Sequence, residues 1–330
     1  MEDKIKLLIA IPTYNRREQL KNTLEALANQ TDSDFRIVIS DNASDYDVAE
    51  LIGSFPDNFK KKIEYHRRTR NIGADANIIG LFESCSEGWI WTLSDDDSVE
   101  SNAVEKIKYY INKNPQSGCI DFFMLDNLPL AVDESISLRD INEFSDFYLT
   151  NKQPNSLWHG ELIFLSNKVF NIDLVGKYVE YAYKYIYTRI STVVIFSYML
   201  ADKIPYTIVN HPLVEVGKGS VASWGTFEVY LASRTLYDMK VPCSREEFHR
   251  LLEVLAFDIR DILYIYFNGN NRFPTSGNFL EQMYVGIYKK ILRGKYRMAF
   301  GFCARMSKTE LGYRIVRTLV LAAYKLLAAK

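Results

Sequence analysis

Over the first 125 residues, apolar runs of strand length alternate with stretches of helical period. "IKLLIAIP" is continuously apolar, as expected of a strand covered on both faces. "REQLKNTLEALANQ" places Leu20, Leu24 and Leu27 on one helical face. "FRIVIS", "KIEYHRR", "WIWTL" and "CIDFFML" read as further strands. "VAELIGSF", "ADANIIGLFESCSEG" and "NAVEKIKYYINKN" read as helices between them, the second ending at Gly88. This alternation predicts an α/β fold, with βαβ units building a Rossmann-like, mostly parallel sheet flanked by helices.

From 126 to 225 the pattern is less regular. "SLWHGELIFLSNKVF" predicts one or two strands before a helix start. "ISTVVIFSYMLADK" predicts a buried helix, and "IPYTIVNHPLVEV" strands around a turn. From 226 onward the period is helical. The expected organisation is an α/β domain over 1–225, with halves 1–125 and 126–225, then a helical C-terminal appendage over 226–330.

Each early strand is followed by a polar cluster: "TYNRR", "DNASD", "RTRNIG" and "SDDDS". Open α/β sheets bind ligands beyond the carboxyl ends of their strands, so these loops should meet at one edge. "SDDDS" (94–98) is the oddest, because three adjacent carboxylates repel one another. If the segment is extended, Asp95 and Asp97 face one side and Asp96 the other. Two carboxylates aimed at one point suit Mg²⁺ or Mn²⁺, which keeps positions open for phosphate oxygens and acts as a Lewis acid on a leaving diphosphate. A plain acidic turn is the competing reading. Pro12 closes strand one, and Thr13, Tyr14 and Asn15 offer hydroxyls, an aromatic face and an amide near a helix start. That suits a nucleoside or phosphate, or simple helix capping. Asp41 can accept from a base or sugar edge, with a tight turn at Asn42, or merely close an Asx-turn.

Composition narrows the class. The chain has 330 residues, 48% of them hydrophobic, and a net charge of -1, so its overall balance implies no polyanionic partner. No apolar run reaches the ~18 residues of a membrane span. The acidic start and short apolar run of the N-terminus do not resemble a signal peptide. Four scattered cysteines with no C-x-x-C pair suggest neither zinc nor disulfides, so a cytoplasmic setting is expected. Charge is unevenly spread: Glu281–Lys330 holds 11 Lys or Arg against 2 acidic residues, a net +9. There the basic residues interleave with Tyr, Phe, Leu, Ile and Val. Such helices suit the inner face of a cell membrane or a solvated basic face. Nucleic acid is not expected, because no nucleic-acid module accompanies the charge.

"IAIPTYNRREQLKNTLEALANQ", "FRIVISDNASD" and "RRTRNIGADANIIGLFESCSEGWIWTLSDDD" together resemble the nucleotide-sugar-binding half of the family 2 glycosyltransferases with the GT-A fold. The order and spacing of four motifs match over roughly residues 4 to 125. "NIGADANI", "WTLSDDD" and "IVNHPLVEVGKGSVASW" look more like the abequosyltransferase branch, which builds O-antigen and capsule. The resemblance implies an inverting glycosyltransferase that uses Mn²⁺ or Mg²⁺. Its donor would be a nucleotide-sugar, UDP first. Its acceptor would be a glycan or an undecaprenyl-diphosphate-linked oligosaccharide.

Residue by residue, the resemblance implies that Pro12, Thr13, Tyr14 and Asn15 line the nucleoside pocket. Asp41 and Asn42 would contact the base, and Arg70, Asn71 and Gly73 would close over the nucleotide, with Asn77 behind them. The triplet matches the D-x-D element, with Asp97 as metal ligand and Asp95 as ribose contact; Asp96 replaces either if the frame shifts by one. The family's acceptor base is an acid about ninety residues further on, but "YTRISTVV" has none there. Glu161, His159 and Glu180 are the candidates. Trp158 and Trp224 would serve the acceptor side, Trp224 from the Gly/Ser-rich loop "GKGSVASW". A sugar-nucleotide nucleotidyltransferase is the alternative enzyme, but it needs a Gly-rich loop where this chain has "PTYNRR". A non-catalytic nucleotide-binding relative would explain the missing acid.

Overall fold

Strand β1 (Leu7–Thr13) is buried on both faces, and its alternation sorts its side chains between two cores. Leu8 and Ala10 join one, Leu7, Ile9 and Ile11 the other. The same sorting holds in β2 (Arg36–Asp41), where Val38 goes to the first core and Ile37 and Ile39 to the second. The computed structural model describes residues 5–123, 128–151, 158–215, 234–256, 263, 267, 278–285, 289, 292 and 294–328.

Helix α1 (Arg17–Ala28) follows β1 and buries Leu20, Leu24 and Leu27, as its period predicts. After β2 come α2 (Val48–Gly53), the short α3 (Asp57–Lys60) and strand β3 (Ile63–Arg67). Helix α4 (Ala74–Phe82), β4 (Trp89–Thr92), β5 (Ser98–Val99), α5 (Ala103–Lys113) and β6 (Cys119–Phe122) complete the first half. The second half runs β7 (Ser135–Leu138), α6 (Ile141–Asn151), α7 (Trp158–Ile163), β8 (Lys168–Asn171), α8 (Ile172–Val175), α9 (Val179–Lys184), α10 (Ser191–Ala201), β9 (Tyr206–Val209) and β10 (Val214–Glu215). The C-terminal helices are α11 (Arg245–Leu255), α12 (Asn278–Met283), α13 (Gly294–Met306) and α14 (Glu310–Ala328).

The main sheet has the order β3-β2-β1-β4-β8-β6-β9-β7. Strands β3, β2, β1 and β4 are mutually parallel, and β6 is parallel to β9. Strand β8 is antiparallel to both β4 and β6, and β7 to β9. The mostly parallel α/β sheet is therefore as expected. The first core runs from the sheet through α4, α10 and α11 to Val316 on α14.

Two local expectations are corrected. The "WHGELIFLSNKVF" stretch is helix first and strand second: α7 precedes β8. Its apolar run is too short to separate a helix from a strand by period. Helix α4 ends at Phe82, not at Gly88. Gly88 instead opens β4 with φ +80, where a Cβ would lie 2.6 Å from the Lys6 carbonyl oxygen.

Strand β8 carries a fully buried lysine. Lys168 pairs in register with Asp121 of β6, with Nζ 3.7 Å from its carboxylate. Its ammonium donates to the carbonyls of Glu161 (2.6 Å) and Phe164 (3.0 Å) and to Asn167 Oδ1 (2.9 Å). The Tyr206 hydroxyl donates to Asp121. Burial raises the Asp121 carboxyl, and Lys168 opposes that rise. Replacing Lys168 by Met strands a buried carboxylate and should cost about 3–5 kcal/mol in urea unfolding. Adding Asp121→Asn should restore part of it. An unchanged midpoint for Lys168→Met would contradict this reading.

Candidate active site

The four polar loops are laced together by hydrogen bonds at one edge of the sheet. The loop after β1 meets the loop after β2 through Asn15: its side chain exchanges bonds with Asp45 (2.9 and 2.7 Å) and its N–H donates to Ser44 Oγ (2.9 Å). Asn15 is in the left-handed region, φ 55, so the chain turns there before α1. No side chain caps α1, so capping does not explain Thr13 or Asn15. The loop after β2 meets the loop after β3 through Asn42. Its Nδ2 donates to Asn71 Oδ1 (2.9 Å) and its Oδ1 accepts from the Ile72 N–H (2.9 Å). Asn71 Oδ1 also takes the Gly73 N–H (2.8 Å), and Gly73 has φ +87. Arg70, Asn71, Ile72 and Gly73 are exposed.

The loop after β1 also meets the loop after β4, and here lies the charge. Asp95 and Asp96 form a turn and are not extended, which corrects the expected alternation. Arg16 Nη1 lies 3.0 Å from Asp95 and 2.7 Å from Asp96, so one guanidinium serves both carboxylates. The Thr13 hydroxyl donates to Asp95 (2.6 Å), and the Ser94 hydroxyl to Asp96 (2.6 Å). Asp97, the expected metal ligand, is buried and accepts from Ser166 Oγ (2.6 Å). Ser166 in turn accepts the Ser94 N–H (2.8 Å). Thus Asp95 pairs with Asp96 rather than Asp97, and Asp96 is the only partly open member of the triplet.

Burial pushes the Asp95 carboxyl up to about 6, against the pull of Thr13 and Arg16. A divalent cation fits this corner on its donor chemistry. Asp96 offers a partly exposed carboxylate with Asp95 behind it, and Mg²⁺ or Mn²⁺ would complete its shell with water and phosphate oxygens. Among the described residues no cluster of three His, Cys, Asp or Glu gathers, so the protein alone would not enclose the ion.

The Glycosyl transferase family 2 model matches residues 8–167, the segment that holds all four loops. Over residues 8–167 the chain is similar to the family 2 glycosyltransferases. It is 32% identical over 104 residues to the abequosyltransferase RfbV of Salmonella typhimurium, covering 31% of each chain. It is 33% identical over 111 residues to a glycosyltransferase of Haemophilus influenzae, covering 33% of this chain and 35% of that one. The match thus spans about a third of the length of these curated relatives. The solved structure of S. aureus TarS residues 1–349 superposes on 95% of this chain and 90% of its own, with TM-score 0.65 and 12% identity. That likeness establishes the GT-A fold.

Several of the predicted site residues turn inward. Asp41 has no exposed surface: it accepts the Ser44 N–H (2.8 Å) and the Tyr65 hydroxyl (2.9 Å), with Arg67 at 3.5 Å. The Asx-turn is therefore present. Asn77 is buried and clamps α4 to β2, accepting from Ser40 Oγ (2.6 Å) and donating to the Ser40 carbonyl (2.8 Å). Pro12 is half-buried, whereas Tyr14 is 42% exposed.

The candidate bases are scattered. Glu161 on α7 is buried and accepts from Asn167 Nδ2 (3.2 Å). Glu180 is exposed on α9. The side chains of Trp158 and His159, and all of Trp224, lie outside the described residues. At the start of α10, where the family's acid is missing, Arg189 has φ 60 and lies 3.5 Å from Asp75 of α4. Burial raises the Asp75 carboxyl, and Arg189 draws it back. Arg16, Ser166 and Asp75 were not anticipated. Arg16 was open to inference: charges in loops after adjacent parallel strands must meet, but strand order is needed to know that β1 and β4 are adjacent.

Asp95 gives a pH signature. Between its ordinary 3.8 and about 6, the folded state keeps a proton that the unfolded chain releases. Stability should therefore fall as pH rises through that window, by about 2–3 kcal/mol from this group. Denaturant unfolding across the window should show the slope in the wild type and a flatter one in Asp95→Asn. Equal slopes would remove Asp95 as the source.

Proposed function

We propose that this protein is an inverting, metal-dependent glycosyltransferase of surface-polysaccharide (capsule or O-antigen) synthesis. It moves a sugar from a UDP-sugar to a glycan or an undecaprenyl-diphosphate-linked acceptor. The observation that carries the proposal is the Thr13–Asp95–Arg16–Asp96 cluster, which joins the loops after β1 and β4 where the loops after β2 and β3 are also tied in. The names of its relatives support the product class. They include the abequosyltransferase RfbV and a PGL/p-HBAD biosynthesis glycosyltransferase of Mycobacterium bovis. The choice of UDP is supported by TarS structures in complex with UDP and with UDP-GlcNAc.

Tyr14, exposed beside Thr13, offers a ring for the base, while Asp41 and Asn42 hold the loops that frame it. Arg70 and the 70–73 segment cover the phosphates. Asp96 would hold the metal, and through it the diphosphate, while Asp95 fixes Arg16 and Asp97 anchors the turn to Ser166. When bound, the cation supplies positive charge to the departing diphosphate. For the base, Asp75 is favoured over Glu161, His159 and Glu180. It stands at the first turn of α4, just after the 70–73 loop, and it meets the start of α10. Glu161 is enclosed with Asn167, and Glu180 lies on α9, which packs on α4 and α10. Asp75 would take the acceptor hydroxyl's proton as that oxygen attacks the anomeric carbon opposite the diphosphate.

A panel of UDP-, GDP-, CDP- and dTDP-sugars with Mn²⁺, scored by nucleotide release, tests the assignment. One donor should turn over, and Asp96→Ala should lower its kcat by about 100-fold or more. With an acceptor present, Asp75→Asn should lose about 100-fold in transfer while donor binding is kept. No turnover of any donor, or full activity in Asp96→Ala, would refute the reading. Pyrophosphate exchange with a nucleoside triphosphate would point to nucleotidyl transfer instead.

A further inference from the structure

Among the described residues, the C-terminal helices carry an apolar face left exposed. On α14, Leu311, Ile315 and Leu319 are 71%, 44% and 60% exposed, and their spacing of four puts them on one stripe. The opposite face is fixed to the body. Val316 is buried, the Tyr313 ring lies 5.2 Å from that of Phe267, and Arg317 Nε donates to the Phe267 carbonyl (2.8 Å). Gly312 sits so close to α13 that a Cβ would lie 2.1 Å from the Met306 carbonyl oxygen. These contacts set the rotation of α14 and leave the stripe in water. On α13, Met298 and Phe302 are 72% and 53% exposed at the same spacing.

Charge identifies what covers the stripe. Arg297, Arg305 and Arg314 are exposed on the same two helices. Glu310 and Glu281, the two acids of the last fifty residues, pair with Arg314 (2.5 Å) and Lys308 (2.7 Å). The segment from Glu281 onward holds 11 basic and 2 acidic residues. A second copy would set like charge against like charge, whereas an anionic bilayer sets opposite charge against it. Among the described residues no helix is long and apolar enough to cross a membrane.

We propose that the α13–α14 hairpin docks this protein on an anionic lipid surface. Leu311, Ile315 and Leu319 enter the headgroup boundary, and the basic residues lie over the phosphates. The inference is independent of the catalytic assignment, because its readout is lipid binding without donor or metal.

The full chain is sedimented with vesicles of phosphatidylglycerol and phosphatidylcholine in equal parts at low salt. It should pellet with these and stay in solution with phosphatidylcholine alone. Raising the salt to roughly physiological strength should release part of it, as screening shortens the attraction. The triple variant Leu311→Gln, Ile315→Gln, Leu319→Gln should bind about tenfold less or weaker still, with its melting temperature unchanged. Basic residues remain in that variant, so loss of binding isolates the apolar stripe. No pelleting at low salt, or equal pelleting by the variant, overturns the proposal. So does a wild-type dimer that the variant abolishes without any lipid binding, which would assign the stripe to a second copy.

Discussion

The site depends on one guanidinium. Arg16 stands between Asp95 and Asp96 and offsets the repulsion that the acidic triplet would otherwise carry. Without it, a carboxylate as enclosed as Asp95 would face a second negative charge in a medium that screens poorly. The arrangement also states what a ligand must do. Asp96 has one oxygen on Arg16 and the other on Ser94, so a cation arriving there competes with a positive charge already in place. A metal carrying a diphosphate would bring its own anion for Arg16, leaving Asp96 to hold the metal. A bare cation brings no such compensation.

The rest of the fold serves to place that cluster. Strand β4 lies next to β1, which makes the loops after them neighbours. Strand β8, antiparallel beside β4, puts the preceding Ser166 behind the triplet, where it holds Asp97 and the Ser94 N–H. Buried Lys168 gathers the carbonyls of the 161–167 turn, so the same strand steadies the wall on which Glu161 sits. On the far side of the 70–73 loop, Asp75 of α4 meets Arg189, just before α10.

Much of this was legible in the chain before any coordinates. Buried strands such as "IKLLIAIP" declare themselves because both faces are covered, and their positions fix where the polar loops fall. That was enough to predict one common edge. Side-chain direction was not legible. The alternation rule failed at Asp95–Asp97 because a turn, not a strand, follows Thr92. Asp41 and Asn77 read as ligand contacts because they are polar and near the loops, but both are spent on holding the backbone. Arg16 carries no local signal, because its partners lie some eighty residues away and meet it only through strand order. The segment before β8 was misread because a short apolar run carries no decisive period.

On the proposed function, the Asp96 corner would take a metal-bound diphosphate and release Arg16 to do so. Calorimetric titration of UDP into the protein, with and without Mn²⁺, tests it most directly. The account predicts tight binding only when metal and nucleotide are present together, and loss of that metal dependence in Asp96→Asn. Equal UDP affinity with and without Mn²⁺, or an Asp96→Asn variant that binds like the wild type, would contradict it.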